Sequence, residues 1–219
     1  MIYVTIDFSL NSPGICIYTE DSKYNFIGYL KPKTGTKKEQ RMQEELNMLD
    51  GVQMSYQPDW TNNEAYSKSE MIKVQRHMKT ADDIINFIIG VTNSKEQYVI
   101  AFEGSSYGSS AGTNNIIDMA AGAAILKMEL MSRLEVLDIL TVAPSTIKKH
   151  AGHGRMKKDQ LWLKFLENVL DDSSLENSEL YKYCKDNIGE VKRVPKPLDD
   201  LVDAYFLNHL ARTLFNPEP

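Results

Sequence analysis

Four carboxylates, Asp7, Glu103, Asp200 and Asp203, could do chemistry together, and folding alone explains three of them poorly. Asp7 closes the apolar, β-branched run Ile2-Tyr-Val-Thr-Ile6, and Glu103 closes the wholly apolar run Tyr98-Val-Ile-Ala-Phe102 just before a glycine. Asp7 alone could be a turn-forming residue before Phe8-Ser9-Leu10. Glutamate, however, is a poor strand former and costly to bury without a partner, so two acids each at the end of a buried strand point to a shared purpose. The other two, Asp200 and Asp203, fall at i, i+3 on one face of a C-terminal helix. Acidic residues at a helix N-terminus complement its dipole, which accounts for Asp199 and Asp200. It accounts less well for Asp203, which lies deeper among Val202, Ala204 and Tyr205. Converging carboxylates repel unless a cation neutralises them or one keeps its proton. An all-oxygen ligand set selects hard cations, Mg²⁺ first and Mn²⁺ as its substitute. Two such ions about 3.5–4 Å apart suit an in-line phosphodiester displacement, one activating water and one stabilising the leaving oxygen. No rival metal set stands out: His77, His150, His153 and His209 lack zinc-type partners, and Cys16 and Cys184 form no metal or redox spacing.

The elements that must hold these groups read as a mixed α/β domain. Ile2–Ile6, Gly14–Tyr18 and Tyr24–Leu30, joined by short turns, predict an antiparallel meander. The stretch at about 32–66 is polar and weakly patterned, and reads as an insertion or flap with a short helix over Lys38–Leu49. Met48, Met54 and Trp60 within it suit either a DNA-gripping surface or a local satellite core. A helix is predicted from Ser67 to about Val91, a buried strand over Tyr98–Phe102, and an Ala- and Met-rich helix over about Asn115–Leu134. A strand at Val136–Val142, a short helix after Pro144 and a helix over Lys157–Leu170 follow. An acidic connection occupies about 171–196, and a last helix starts near Pro197, where proline is favourable. The small residues of the helix at Asn115–Leu134 suit core packing against the sheet, which accounts for most of its pattern. Because the helix is apolar on nearly every face, its outer side needs a cover as well, which points to a homodimer seam.

The 219 residues suffice for one such domain, read as a single unit over 1–219. Apolar residues at 42% and charged residues at 25% are ordinary for a globular protein. Unpaired cysteines fit a reducing compartment, and no apolar run approaches the ~20 residues that span a bilayer, so a soluble, cytoplasmic protein with no membrane partner is expected. A net charge of −5 argues mildly against a nucleic-acid ligand, but the charge is polarised. Between Lys148 and Lys164, six basic residues (Lys148, Lys149, Arg155, Lys157, Lys158, Lys164) face only Asp159. A solvated helix face would explain the run. Two glycines beside Lys and Arg in a loop fit phosphate contact better, because bare backbone N–H groups can also approach an anion.

Taken in order, Ile6-Asp7, Phe102-Glu103, the Ala-rich helix behind it and Asp200-Leu-Val-Asp203-Ala204 resemble the RuvC-type Holliday junction resolvases of the ribonuclease-H-like superfamily. Pro144-Ser-Thr-Ile-Lys148 followed by Gly152-His-Gly154-Arg-Met-Lys-Lys158-Asp-Gln160 belongs to the same resemblance. It implies a five-stranded mixed sheet, three strands antiparallel and then two parallel, flanked by helices. It implies a metal-dependent endonuclease that cuts branched DNA, the four-way junction, as a homodimer. Asp7, Glu103, Asp200 and Asp203 would bind two Mg²⁺ ions, with Asp7 and Asp203 bridging and Asp199 the alternative to Asp200. Lys148 and Lys158 would be the DNA-contacting lysines, with Lys149, Arg155 and Lys157 beside them. The family's aromatic wedge after the fourth-strand Glu has Tyr107 as its one candidate, and the enlarged insertion resembles phage-encoded versions. Alternatives are a related nuclease acting on flaps, RNA–DNA hybrids or packaging intermediates, and a non-catalytic DNA-binding adaptor. An actin-like ATPase would need a glycine-rich phosphate hairpin and a second copy of the domain, for which 219 residues leave no room.

Overall fold

Strand β1 (Ile2–Asp7) takes the centre of a sheet because both of its faces are apolar: residues 2–6 are all buried. The computed structural model describes residues 1–9, 12–30, 37–56, 66–92, 96–104 and 113–215. β1 pairs antiparallel with β2 (Gly14–Tyr18), which pairs antiparallel with β3 (Tyr24–Leu30). On its other side β1 pairs parallel with β5 (Gln97–Glu103), which pairs parallel with β6 (Glu135–Val142). This is the meander-then-parallel arrangement of the ribonuclease-H-like fold.

Among the described residues the sheet has six strands rather than five. The polar stretch read as an insertion contributes, in its described part, helix α1 (Lys37–Leu46) and strand β4 (Val52–Tyr56), which pairs parallel with β3. The full order is β4-β3-β2-β1-β5-β6, so Glu103 ends the fifth strand of the chain and not the fourth. A parallel pair needs a crossover, and α1 supplies it, burying Met42 and Leu46 over Val52 and Met54. Met54 therefore belongs to the core, Met48 is exposed, and Trp60 lies outside the described residues.

The two faces of the sheet carry separate cores. One buries Ile2, Val4, Ile6, Ile100 and Phe102 under α2 (Tyr66–Val91) and α3 (Thr113–Arg133), through Ile84, Ile85, Ile88, Leu126 and Leu130. The other buries Tyr3, Phe26, Val99 and Ala101 under α4 (Pro144–Ala151), α5 (Lys158–Leu166) and α8 (Leu198–Phe215). The acidic connection is also folded: it forms α6 (Ser173–Asn177), α7 (Glu179–Tyr183) and a π-turn at Cys184–Ile188. Asp172 organises it, accepting from Ser174 and Leu175 at the start of α6 and from Tyr24 Oη at 2.5 Å. Arg212 stacks 3.6 Å over the Tyr18 ring and reaches Asp172 at 3.3 Å, which ties the end of α8 to the same point.

α8 decides where the C-terminal acids go. It packs on β1 and β2 on one side and on α4 and α5 on the other, so it is buried nearly all round. Thr5 Oγ1, fully buried, donates to Ala204 O at 2.8 Å, and Asn208 Nδ2 donates to Tyr3 O and Cys16 O at 3.1 and 3.2 Å. These bonds fix the register of the helix on the sheet. Its N-terminus lies so close to β2 that a Cβ on Gly14 would meet the Asp200 carbonyl carbon at 2.5 Å. Gly14→Ala should therefore destabilise the fold by about 1–3 kcal/mol through overpacking against backbone that has nowhere to move. Gly90→Ala, which meets nothing within 4 Å, is the control and should leave the melting temperature unchanged or raise it slightly. Equal melting temperatures for the two variants would show that α8 is not seated through Gly14.

Candidate active site

Successive side chains of a strand alternate between faces, and that parity places the first two acids. Asp7 follows Tyr3 and Thr5 onto the α8 face, and Glu103 follows Val99 and Ala101 onto the same face. The parallel register pairs Thr5 with Ala101 and Ile6 with Phe102, so Asp7 and Glu103 end adjacent strands side by side. α8 then lowers Asp203 onto them. One carboxylate oxygen from each of Asp7, Glu103 and Asp203 lies within 4.8 Å of the others, the one such group of three among the described residues.

All three carboxylates are raised above their ordinary values. Burial, reinforced by the negative charge of Asp203, pushes Glu103 up to about 7, against a hydrogen bond with Asp7 and the nearby Lys158 and Lys148. Asp7 is raised well above the carboxylate range, first by burial and then by Glu103, Asp203 and Asp200. Asp203 is raised by burial, with Lys158 opposing. Buried oxygen donors that repel one another suit a divalent cation, which would offset that repulsion and be held by all three. The residues present fit a hard ion such as Mg²⁺ or Mn²⁺.

Asp200 is close by but engaged elsewhere. Its side chain is 4% exposed, and both of its oxygens accept from Lys196, Oδ2 at 2.6 Å. Burial raises it, then the charge of Asp199, with Lys196 and Lys158 opposing. Asp199 is bound by the same two lysines through Oδ2, while its Oδ1 is buried without a hydrogen-bond partner. Neither joins the group of three.

The basic segment lies along the same end, because α4 and α5 both pack on α8. Lys148 is half-buried on α4 within electrostatic reach of Glu103. Lys149, Arg155 and Lys157 are exposed, and Lys164 pairs with Glu167. Lys158, expected beside Lys148 as a DNA contact, turns into the carboxylates, with Nζ 2.8 Å from Asp199, 3.2 Å from Asp203 and 3.4 Å from Asp200. Its proton is held more tightly than usual: burial pulls against that, but three aspartates outweigh it. His150 Nε2 and His209 Nδ1 meet at 3.0 Å between α4 and α8, and no third metal-ligating group joins them among the described residues. Tyr107 lies outside the described residues.

Two contributors escaped the sequence reading. Lys196 sits three and four residues before Asp199 and Asp200, a spacing that signals ion pairs along a helix, but here the helix starts only at Leu198. Gly14 reads from the sequence only as the start of a strand, because tertiary packing alone shows what it must clear.

No family model matches the chain, and no curated protein matches it. Solved structures similar to it include RuvC from Thermus thermophilus, at 12% identity over 99% of this chain and 97% of that one, with a TM-score of 0.47. T. thermophilus RuvC in complex with Holliday junction substrate is 10% identical over 98% and 96%, with a TM-score of 0.49. The yeast mitochondrial Holliday junction resolvase Ydc2 is 14% identical over 94% of this chain and 75% of its own, again with a TM-score of 0.49.

Glu103 carries a pH signature. Its pKa rises on folding from 4.5 to about 7, so it favours the folded state at low pH and that contribution is lost as pH climbs through about 7. The chelator-treated protein should therefore lose stability between about pH 4.5 and 7, and Glu103→Gln should flatten that decline. Divalent-ion affinity should run the other way, rising with pH through neutrality as protons leave the cluster. Melting curves and Mn²⁺ titrations from pH 5 to 8 test both. A pH-independent Mn²⁺ affinity would overturn the assignment.

Proposed function

We propose that the protein is a divalent-cation-dependent endonuclease acting on branched DNA, of the four-way-junction-resolving kind. The observation that carries this reading is the convergence of Asp7, Glu103 and Asp203 from β1, β5 and α8, directly beside the basic α4–α5 segment. In this reading the three carboxylates hold the cation, Mg²⁺ by preference and Mn²⁺ as its substitute. A cation so held supplies Lewis-acid stabilisation of developing negative charge and a nucleophilic water near neutral pH. The chain's own groups do the rest. The buried carboxylates keep the strand ends electronegative, so a phosphate is repelled until their charge is neutralised. Lys148, Lys149, Arg155 and Lys157 then hold the backbone on either side, giving affinity and orientation without sequence readout. The choice of branched DNA over flaps or RNA–DNA hybrids follows the motif resemblance.

Symmetric cutting of a junction calls for two copies, and α3 offers a seam. Ile117, Met128 and Met131 are 61%, 70% and 65% exposed, and with Ala121 and Ala124 they form one apolar stripe at helical spacing. A second copy of the chain is the occupant proposed for it. Met128→Lys with Met131→Lys should shift the mass measured by light scattering from dimer to monomer. An unchanged mass would exclude this seam.

Cleavage of a synthetic four-way junction in Mg²⁺ is the direct test of activity. Asp7→Asn, Glu103→Gln and Asp203→Asn should each cost more than about 100-fold in rate, since these residues are themselves the proposed ligands. Lys149→Ala should retain chemistry, weaken junction binding and reduce the salt slope by about one. Full cleavage by Asp7→Asn would defeat the proposal. A junction left intact while flaps or hybrids are cut would redirect it to the related nuclease.

A further inference from the structure

Two lysines from different elements reach the acidic end of α8, and together they engage every carboxylate there. Lys158, the first residue of α5, contacts Asp199, Asp200 and Asp203. Lys196, in the segment before α8, contacts Asp199 at 3.1 Å and both oxygens of Asp200. Asp203 sits at the boundary: it belongs to the group with Asp7 and Glu103, yet its Oδ2 receives Lys158 at 3.2 Å. Asp200 has no oxygen left over, and the side chains of Asp199 and Asp200 are 9% and 4% exposed. Buried carboxylates this close demand neutralisation on a scale that exposed surface pairs do not.

The charges set the terms. Asp7, Glu103, Asp199, Asp200 and Asp203 carry five negative charges when ionised, and the two ammonium groups return two, the charge of one divalent ion. A lysine ammonium is a compact point charge on a flexible stem, able to sit where an ion would and impossible to lose to a chelator. The Lys158 ammonium also lies between Asp200 and Asp203, 3.4 and 3.2 Å from their oxygens.

We propose that Lys158 and Lys196 act as a built-in counter-ion in place of a second divalent cation, so that the free protein takes a single ion through Asp7, Glu103 and Asp203. Asp200 is then a positioning residue that anchors the lysines, and not a metal ligand. The inference rests on the cation-binding reading of the three carboxylates and changes the expected count from two ions to one. It also gives Lys158 a role inside the site in place of a phosphate contact.

Counting Mn²⁺ tests it without any activity measurement. MnCl₂ titrated into the chelator-stripped full chain at pH 8, with free Mn²⁺ read by electron paramagnetic resonance and heat by calorimetry, should give one ion per chain. The Lys158→Met/Lys196→Met double variant should bind two, because Asp199, Asp200 and Asp203 are released. Asp200→Asn should still bind one. Circular dichroism in Mn²⁺ checks that each variant is folded; should the double variant unfold, the wild-type and Asp200→Asn counts decide alone. Two ions in the wild type, or loss of the ion in Asp200→Asn, would overturn the lysine assignment and leave the three-carboxylate site standing. A double variant that folds and still binds one ion would also overturn it. No Mn²⁺ in the wild type would remove the cation site itself and this inference with it.

Discussion

Crowding carboxylates at one end of a buried helix is unfavourable by itself, and the seating of α8 on β1 and β2 is what enforces it. The helix is held from beneath by Thr5 and Asn208, whose side chains bond across to Ala204, Tyr3 and Cys16, and its first turn clears β2 only because residue 14 has no side chain. Apolar burial over Leu201, Ala204, Tyr205 and Phe206 supplies the driving force, at roughly 25 cal/mol per Å² of apolar surface. The polar bonds supply register instead. A slip of one residue along α8 would rotate Asp203 by about 100° away from Asp7 and Glu103. Position, rather than stability, is what the buried Thr5 and Asn208 contribute.

The same seating stores electrostatic strain. Burial and mutual repulsion raise Asp7, Glu103, Asp200 and Asp203 together, so folding shifts each of them toward its protonated form relative to an unfolded chain. Lys196 and Lys158 oppose this at Asp200. At Asp7 burial and the neighbouring carboxylates outrank Lys158, and at Glu103 burial and Asp203 outrank Lys158 and Lys148. The least compensated carboxylates are thus the ones at the ends of β1 and β5. Sites of this kind trade stability for chemistry.

Much of this was legible in the sequence, for a definite reason. Asp7 and Glu103 stood out because each broke an apolar strand, and period-2 alternation then put them on one face. Asp203 stood out because dipole complementation does not reach so far into a helix. β4 was obscured because Val52-Gln-Met-Ser-Tyr56 alternates over only five residues, inside a polar stretch whose apolar contacts lie at a distance. Asp171–Glu179 hid α6 because its helix rests on a local cap, Asp172, and on one fully buried leucine, Leu175. Lys158 was visible as a charge but not as a direction: a basic run shows how many cations a segment has, and tertiary packing decides which of them turn inward.

That distinction bears on how the basic face and the acidic site coexist. α4 and α5 are held against α8 by Ile147, Ala151, Leu161 and Phe165, so their lysines are delivered to the rim of the carboxylate cluster by the same apolar contacts that bury the helix. At that rim the distance to a carboxylate sorts them. Lys158 starts α5 beside Asp199 and is drawn in; Lys149, Arg155 and Lys157 stay exposed and keep their charge available to an anion in solvent. Opposite charges would otherwise cancel across so short a span. They do not, because the inward lysines are matched by buried aspartates and the outward ones face water. One hydrophobic seam thereby builds both a carboxylate-rich interior and an exposed basic margin.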